Sequence, residues 1–128
     1  MALAQSKKGR TEEPDTSKAS PAGRPDDDKW PSYTMVEDRF KKIYFQFYRE
    51  TYRKTRIDRK TKELIAIAAS LGYQCKGCLE GHIKKAIDYG ATEEEISEAI
   101  AITMGVAAAS VVDQTDFAAE NLQLLHFP

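Results

Sequence analysis

From Val36 onward, apolar side chains recur every three or four positions, the spacing that puts them on one face of an α-helix. Val36, Phe40, Ile43, Tyr44, Phe47, Tyr48, Thr51 and Tyr52 form the first stripe. It predicts a helix from Thr34, where Thr34 and Glu37 have capping-box spacing, to about 54–56. Its aromatic face reads as core or as a subunit-packing surface. A second helix is expected from the N-cap Asp58 to Gly72. Leu64, Ile65, Ala66, Ile67, Ala68, Ala69 and Leu71 leave it almost no polar face, which predicts burial all round. A third helix covers about 75–89, closed by Gly90, with Leu79, Ile83, Ala86 and Ile87 as its apolar stripe. Thr92 and Glu95 form a second capping box and open a fourth helix, with Ile96, Ala99, Ile100, Thr103 and Met104 inward. Gly105 allows a kink or break before a fifth helix over about 106–124. There Val111, Val112, Phe117, Ala118, Leu122 and Leu125 are candidates for burial. No stretch alternates with period two for any length, so the expected fold class is all-α with about five helices.

The first thirty residues lack this pattern. They hold one aromatic, Trp30, among mostly Lys, Asp, Glu, Ser, Gly, Pro and Ala. Such a segment cannot bury enough apolar surface to offset chain entropy, so residues 1–33 read as a disordered or extended polar tail and 34–128 as one helical domain. A domain of that size gains from oligomerisation. Net charge is −1, which provides no global field toward nucleic acid or anionic membrane. Residues 39–62 nevertheless carry ten Lys or Arg against two acids. That basic face reads as solvated, or as meeting an acidic face of a neighbouring subunit; no nucleic-acid-binding motif accompanies it. The N-terminus lacks the apolar core of a secretory signal, and no run approaches the ~18–20 apolar residues of a membrane span. A cytoplasmic location is expected, where a Cys-x-x-Cys is catalytic or metal-binding more often than a structural staple.

Both cysteines lie in Cys75-Lys76-Gly77-Cys78-Leu79-Glu80-Gly81-His82, together with one of the two histidines. On a helix Cys75, Cys78 and His82 are i, i+3 and i+7, on one narrow face. In a first helical turn, exposed N–H groups and the helix dipole favour thiolate. His82, one turn beyond Cys78, is placed to take its proton. Cys75 could then close a disulfide on an oxidised Cys78. Two other readings stay open on these residues alone. Zinc would have Cys75, Cys78 and His82 as ligands but lacks an evident fourth, for which Glu63 is the nearest choice. Alternatively, both thiols are inert buried residues. Covalent haem attachment is excluded, because His would have to follow the second cysteine directly. Glu63, at the edge of the second helix's apolar run, is either a first-turn acid favoured by the helix dipole or a functional carboxylate. His126 reads as a surface residue.

Taken together, Asp58-Arg59-Lys60-Thr61-Lys62-Glu63-Leu64-Ile65-Ala66, the Cys75-x-x-Cys78-x-x-x-His82 motif and Gly90-Ala91-Thr92-Glu93-Glu94-Glu95-Ile96-Ser97-Glu98-Ala99 resemble the carboxymuconolactone decarboxylase family, in its alkylhydroperoxidase AhpD-like branch. The resemblance covers about residues 34–124. It implies an all-helical homo-oligomer, often a trimer or hexamer, acting as a peroxidase or disulfide reductase. It also implies that Cys78 is the peroxide-reactive thiol, that Cys75 resolves it, and that Glu63 and His82 form a proton relay. The partners expected on this reading are a small peroxide or disulfide substrate and a lipoyl- or thioredoxin-like reductant; no bound cofactor is required, and the charge and hydropathy give no expectation of nucleic acid or membrane. Some peroxidase members carry a second histidine between the cysteines; here that position is Gly77. The alternatives are a non-enzymatic redox sensor or partner-docking oligomer, and a decarboxylase of the same superfamily that works without the cysteine pair.

Overall fold

Asp58 accepts a hydrogen bond from the Thr61 N–H at 2.8 Å, and in the computed structural model of the chain this cap starts a helix at Arg59. The structure describes residues 33–124. Its helices are α1 (Asp38–Tyr52), α2 (Arg59–Gly72), α3 (Lys76–Asp88) and α4 (Glu93–Leu122). The fold is all-α, and no strand occurs among the described residues. The expected polar tail over residues 1–32, with Trp30, and the C-terminal Leu125 and His126 lie outside the described residues. The chain divides into two units between Arg56 and Ile57.

The first unit contains α1. The expected start at Thr34 is not observed: residues 34–36 lie in a turn in which the Val36 N–H bonds the Tyr33 carbonyl at 3.1 Å. Glu37 occupies the N-cap without a side-chain cap bond, because its carboxylate is drawn to Arg39 Nε at 2.9 Å. The helix ends at Tyr52, short of 54–56, where Arg53 turns extended. Phe45, outside the predicted stripe, is the buried residue of α1, at 2% exposure, while Phe40, Ile43, Tyr44 and Phe47 stay exposed. Tyr33 and Tyr44 set their rings edge-on to Phe45 at 5.5 and 5.2 Å. This aromatic clustering moves the inward face one residue past Tyr44.

In the second unit α2 packs against both α3 and α4. Ile67, Ala86 and Ile96, one from each helix, form the buried centre, with Leu64, Leu71, Leu79, Ile83, Ala91 and Ile100 against it. The expectation of an all-round apolar α2 is corrected. Its buried residues are Arg59, Glu63, Ala66, Ile67 and Ser70, a single face at helical spacing that brings two charges inward, while Ile65 is exposed. The chain can hold those charges inside because they are paired.

Thr92 and Glu95 make the expected capping box, and Lys60 of α2 reaches Glu95 at 2.7 Å, tying the starts of α2 and α4. The Lys60 hydrogen bond, followed by the Thr92 N–H, holds the Glu95 carboxyl below its usual range. The break at Gly105 does not occur: α4 is one helix of 30 residues. A glycine costs only ~1 kcal/mol relative to alanine in a helix interior, which the neighbouring turns of the hydrogen-bond ladder outweigh. Met104, Val111, Val112, Phe117, Ala118 and Leu122, expected inside, are exposed: in the second unit the described contacts of α4 with the core end near Ile100. The expectation that no segment has spanning character is also corrected. By length and composition alone α4 could cross a membrane, since an 18-residue window within it has a mean hydropathy of 1.5.

Candidate functional site

The turn between α2 and α3 places the cysteines. The Gln74 N–H bonds the Leu71 carbonyl and the Cys75 N–H bonds the Ser70 carbonyl at 2.9 Å. Gln74 is left-handed, with φ 56°. These two bonds around a left-handed residue form a Schellman motif, so the stop lies two residues beyond Gly72, which remains helical. The motif leaves Cys75 as the N-cap of α3, half-buried, with Cys78 exposed in the first turn. Cys75 and Cys78 are joined by a disulfide, with Cα atoms 5.2 Å apart. The expected common helical face therefore holds for Cys78 and His82, whereas the Cys75 backbone lies outside the helix.

One turn beyond Cys78, His82 turns inward and is only 8% exposed. Its Nδ1 is 2.7 Å from Oε2 of Glu63, a side chain with no exposure to solvent. A carboxylate in that place accepts, so the hydrogen between the two is carried by Nδ1. The other carboxylate oxygen, Oε1, accepts from Nη2 of Arg59 at 3.1 Å. Arg59 is itself 5% exposed, and its guanidinium carbon lies 4.7 Å from the centre of the Tyr89 ring, at the far end of α3. Of the four predicted site residues, the structure thus joins Cys75 to Cys78 and Glu63 to His82. Among the described residues no group of three or more His, Cys, Asp or Glu side chains is arranged to hold a metal ion.

Sequence reasoning missed Arg59 and Tyr89. The available signal was the i, i+4 spacing of Arg59 and Glu63, which places opposite charges one above the other on a helix. Spacing alone does not say that this pair shares the buried face of Ala66, Ile67 and Ser70.

The sequence pattern of the carboxymuconolactone decarboxylase family matches residues 38–120. A curated relative, "Uncharacterized protein 4 in cox locus" from Paracoccus denitrificans, is 52% identical over 44 residues, which are 34% of this chain and 40% of that protein. The match thus spans about two fifths of the relative's length. Among solved structures, a protein from Thermotoga maritima is 33% identical, with a TM-score of 0.51, covering 64% of this chain and 74% of the other. A protein from Methanobacterium thermoautotrophicum shares the fold, with a TM-score of 0.59 at 24% identity, covering 62% of this chain and 90% of its own.

Proposed function

Since the chain belongs to the carboxymuconolactone decarboxylase family, we propose that it is the thiol-dependent kind of enzyme, a peroxidase or disulfide reductase of AhpD type. The observation that carries this reading is the Cys75–Cys78 disulfide at the start of a helix whose next inward turn holds a buried His82–Glu63 pair. A decarboxylase has no need of a redox-capable dithiol.

In the reduced enzyme His82 Nε2 takes the proton of Cys78, directly or through a water, and Glu63 stabilises the imidazolium that forms. The Cys78 thiolate attacks a peroxide oxygen. The O–O bond breaks, sulfur is oxidised to sulfenic acid, and the leaving alkoxide takes the proton from His82. The Cys75 thiol then displaces water from the sulfenic acid and closes the disulfide. An external dithiol, lipoyl- or thioredoxin-like, reduces the pair by thiol–disulfide exchange and is itself oxidised. The exposure of Cys78 and the partial burial of Cys75 suit this division between attacking and resolving thiols. The enzyme acts as a homo-oligomer assembled through its uncovered apolar helix surfaces.

The test is peroxide consumption with a dithiol reductant. The native chain consumes many equivalents per site, Cys78→Ser none, and Cys75→Ser about one. Full activity in Cys78→Ser overturns the assignment. A native chain that stops near one equivalent per site is a redox sensor instead.

A further inference from the structure

We propose that Arg59 is a positioning residue of this site: by holding Oε1 of Glu63, it leaves Oε2 to fix the His82 ring with its hydrogen on Nδ1 and its basic lone pair on Nε2. The inference rests on the thiol-redox reading and adds a residue to it. Three observations carry it. The two oxygens of one buried carboxylate are divided, one to Arg59 at 3.1 Å and the other to His82 at 2.7 Å. The guanidinium is nearly as buried as the carboxylate it serves. It also lies over the Tyr89 ring, 4.7 Å from the ring centre, a second contact that restricts its swing on the flexible stem.

A carboxylate with no contact with water needs a counter-charge. Two groups beside Glu63 could supply it, Arg59 permanently or His82 by taking a proton. If Arg59 supplies it, His82 stays neutral and can accept the thiol proton. If Arg59 is absent, the carboxylate either becomes protonated and donates to the ring, moving the imidazole hydrogen to Nε2, or holds His82 as an imidazolium. Both outcomes remove the acceptor that the thiol needs. α2, the helix whose packing against α3 positions this pair, offers two further cations, Lys60 and Lys62. Lys60 is occupied with Glu95, and neither lysine is on the buried face that carries Arg59 and Glu63. On α3 itself Lys84 is exposed and Lys85 half-buried.

The test compares Arg59→Gln and Arg59→Lys with the native chain, using nitrogen-15 chemical shifts of the His82 ring and steady-state peroxide consumption. The native ring is expected as the Nδ1–H form at neutral pH. Arg59→Gln is expected to lose that signature and to lower kcat by about tenfold to a hundredfold with KM unchanged, a smaller loss than the ~10²–10⁴-fold of removing a general base outright. Arg59→Lys, which keeps the charge, is expected to recover the signature and most of kcat. An Nε2–H ring in the native chain overturns the proposal even if no variant folds. So does an Arg59→Gln ring and kcat like the native, or equal loss in the Gln and Lys variants at native helix content. If Cys78→Ser keeps its activity, the redox reading falls by itself, and the ring signature still reports on Arg59.

Discussion

Glu63 is the residue on which the rest of the site leans. Its carboxylate is fully enclosed, and both its oxygens have partners whose own burial depends on it. Removing one member of a buried ion pair leaves the other charged and unsolvated, a loss of roughly 3–5 kcal/mol. Glu63→Ala should therefore destabilise the chain by about that amount in urea unfolding, well above the ~1 kcal/mol centre of the distribution for single substitutions. Glu63→Gln keeps the shape and an acceptor oxygen, so it should lose less. A Glu63→Ala loss under ~1 kcal/mol would mean that Arg59 and His82 find water or other partners once the carboxylate is gone. A carboxylate in this place contributes little net stability over an apolar core, since desolvating the pair offsets its attraction. A buried carboxylate on that face fits a chemical role better than a structural one.

At the scale of elements, two helix endings frame the site, and they differ in one residue. α3 ends on Gly90, left-handed at φ 87°, with the Ala91 N–H on the Ala86 carbonyl. α2 ends by the same pair of bonds on Gln74, where a side chain must tolerate a left-handed backbone at a cost of ~1–2 kcal/mol. Gln74→Gly should remove that strain and raise the midpoint of thermal unfolding; an unchanged or lower midpoint would show that the Gln74 side chain repays its conformation. The same two endings show what could be read from the chain alone. Asp58, Thr92 with Glu95, and Gly90 announce their caps because the side chain or the missing side chain performs the local act itself. Gln74 does not, since its conformation is imposed by the packing of α2 against α3. Gly105 reads as a stop for the converse reason, because a helix interior tolerates one glycine. At the site, the Cys-x-x-Cys spacing and His82 are legible because the chemistry needs them close in sequence. The 19-residue separation of Glu63 from His82 becomes a contact only when two helices pack, and from the sequence only the zinc reading and the family resemblance connect them. Arg59 stayed hidden because an i, i+4 pair looks alike whether it faces solvent or core.

At the scale of the whole molecule, α4 presents a long unexplained surface. From Ile102 onward it exposes Ile102, Met104, Val106, Val111, Val112, Phe117 and Leu122, and it is apolar nearly all round through its middle. A helix of that kind is covered by something, either protein or lipid. Two observations favour protein. Its first turns are committed to packing against α2 and α3, with Ile96 in the core and Ile100 against it. Further along, Asp113 and Asp116 would have to enter the bilayer, at ~2.5–3.5 kcal/mol each near its centre. Burying one Val or Phe side chain gives back about 1.5–3 kcal/mol, so a few such contacts repeated by symmetry sustain an assembly. On the proposed homo-oligomer, the occupant is a second copy of the same helix surface. Sedimentation of the native chain should give a mass several times that of the 14.4 kDa protomer, with a trimer or hexamer expected from the family resemblance. Val112→Asp combined with Phe117→Asp should bring it down to the protomer mass, while the α2–α3 pairing and the His82 ring signature persist. A native chain that sediments as a monomer and floats with phospholipid vesicles would assign the same surface to a membrane instead.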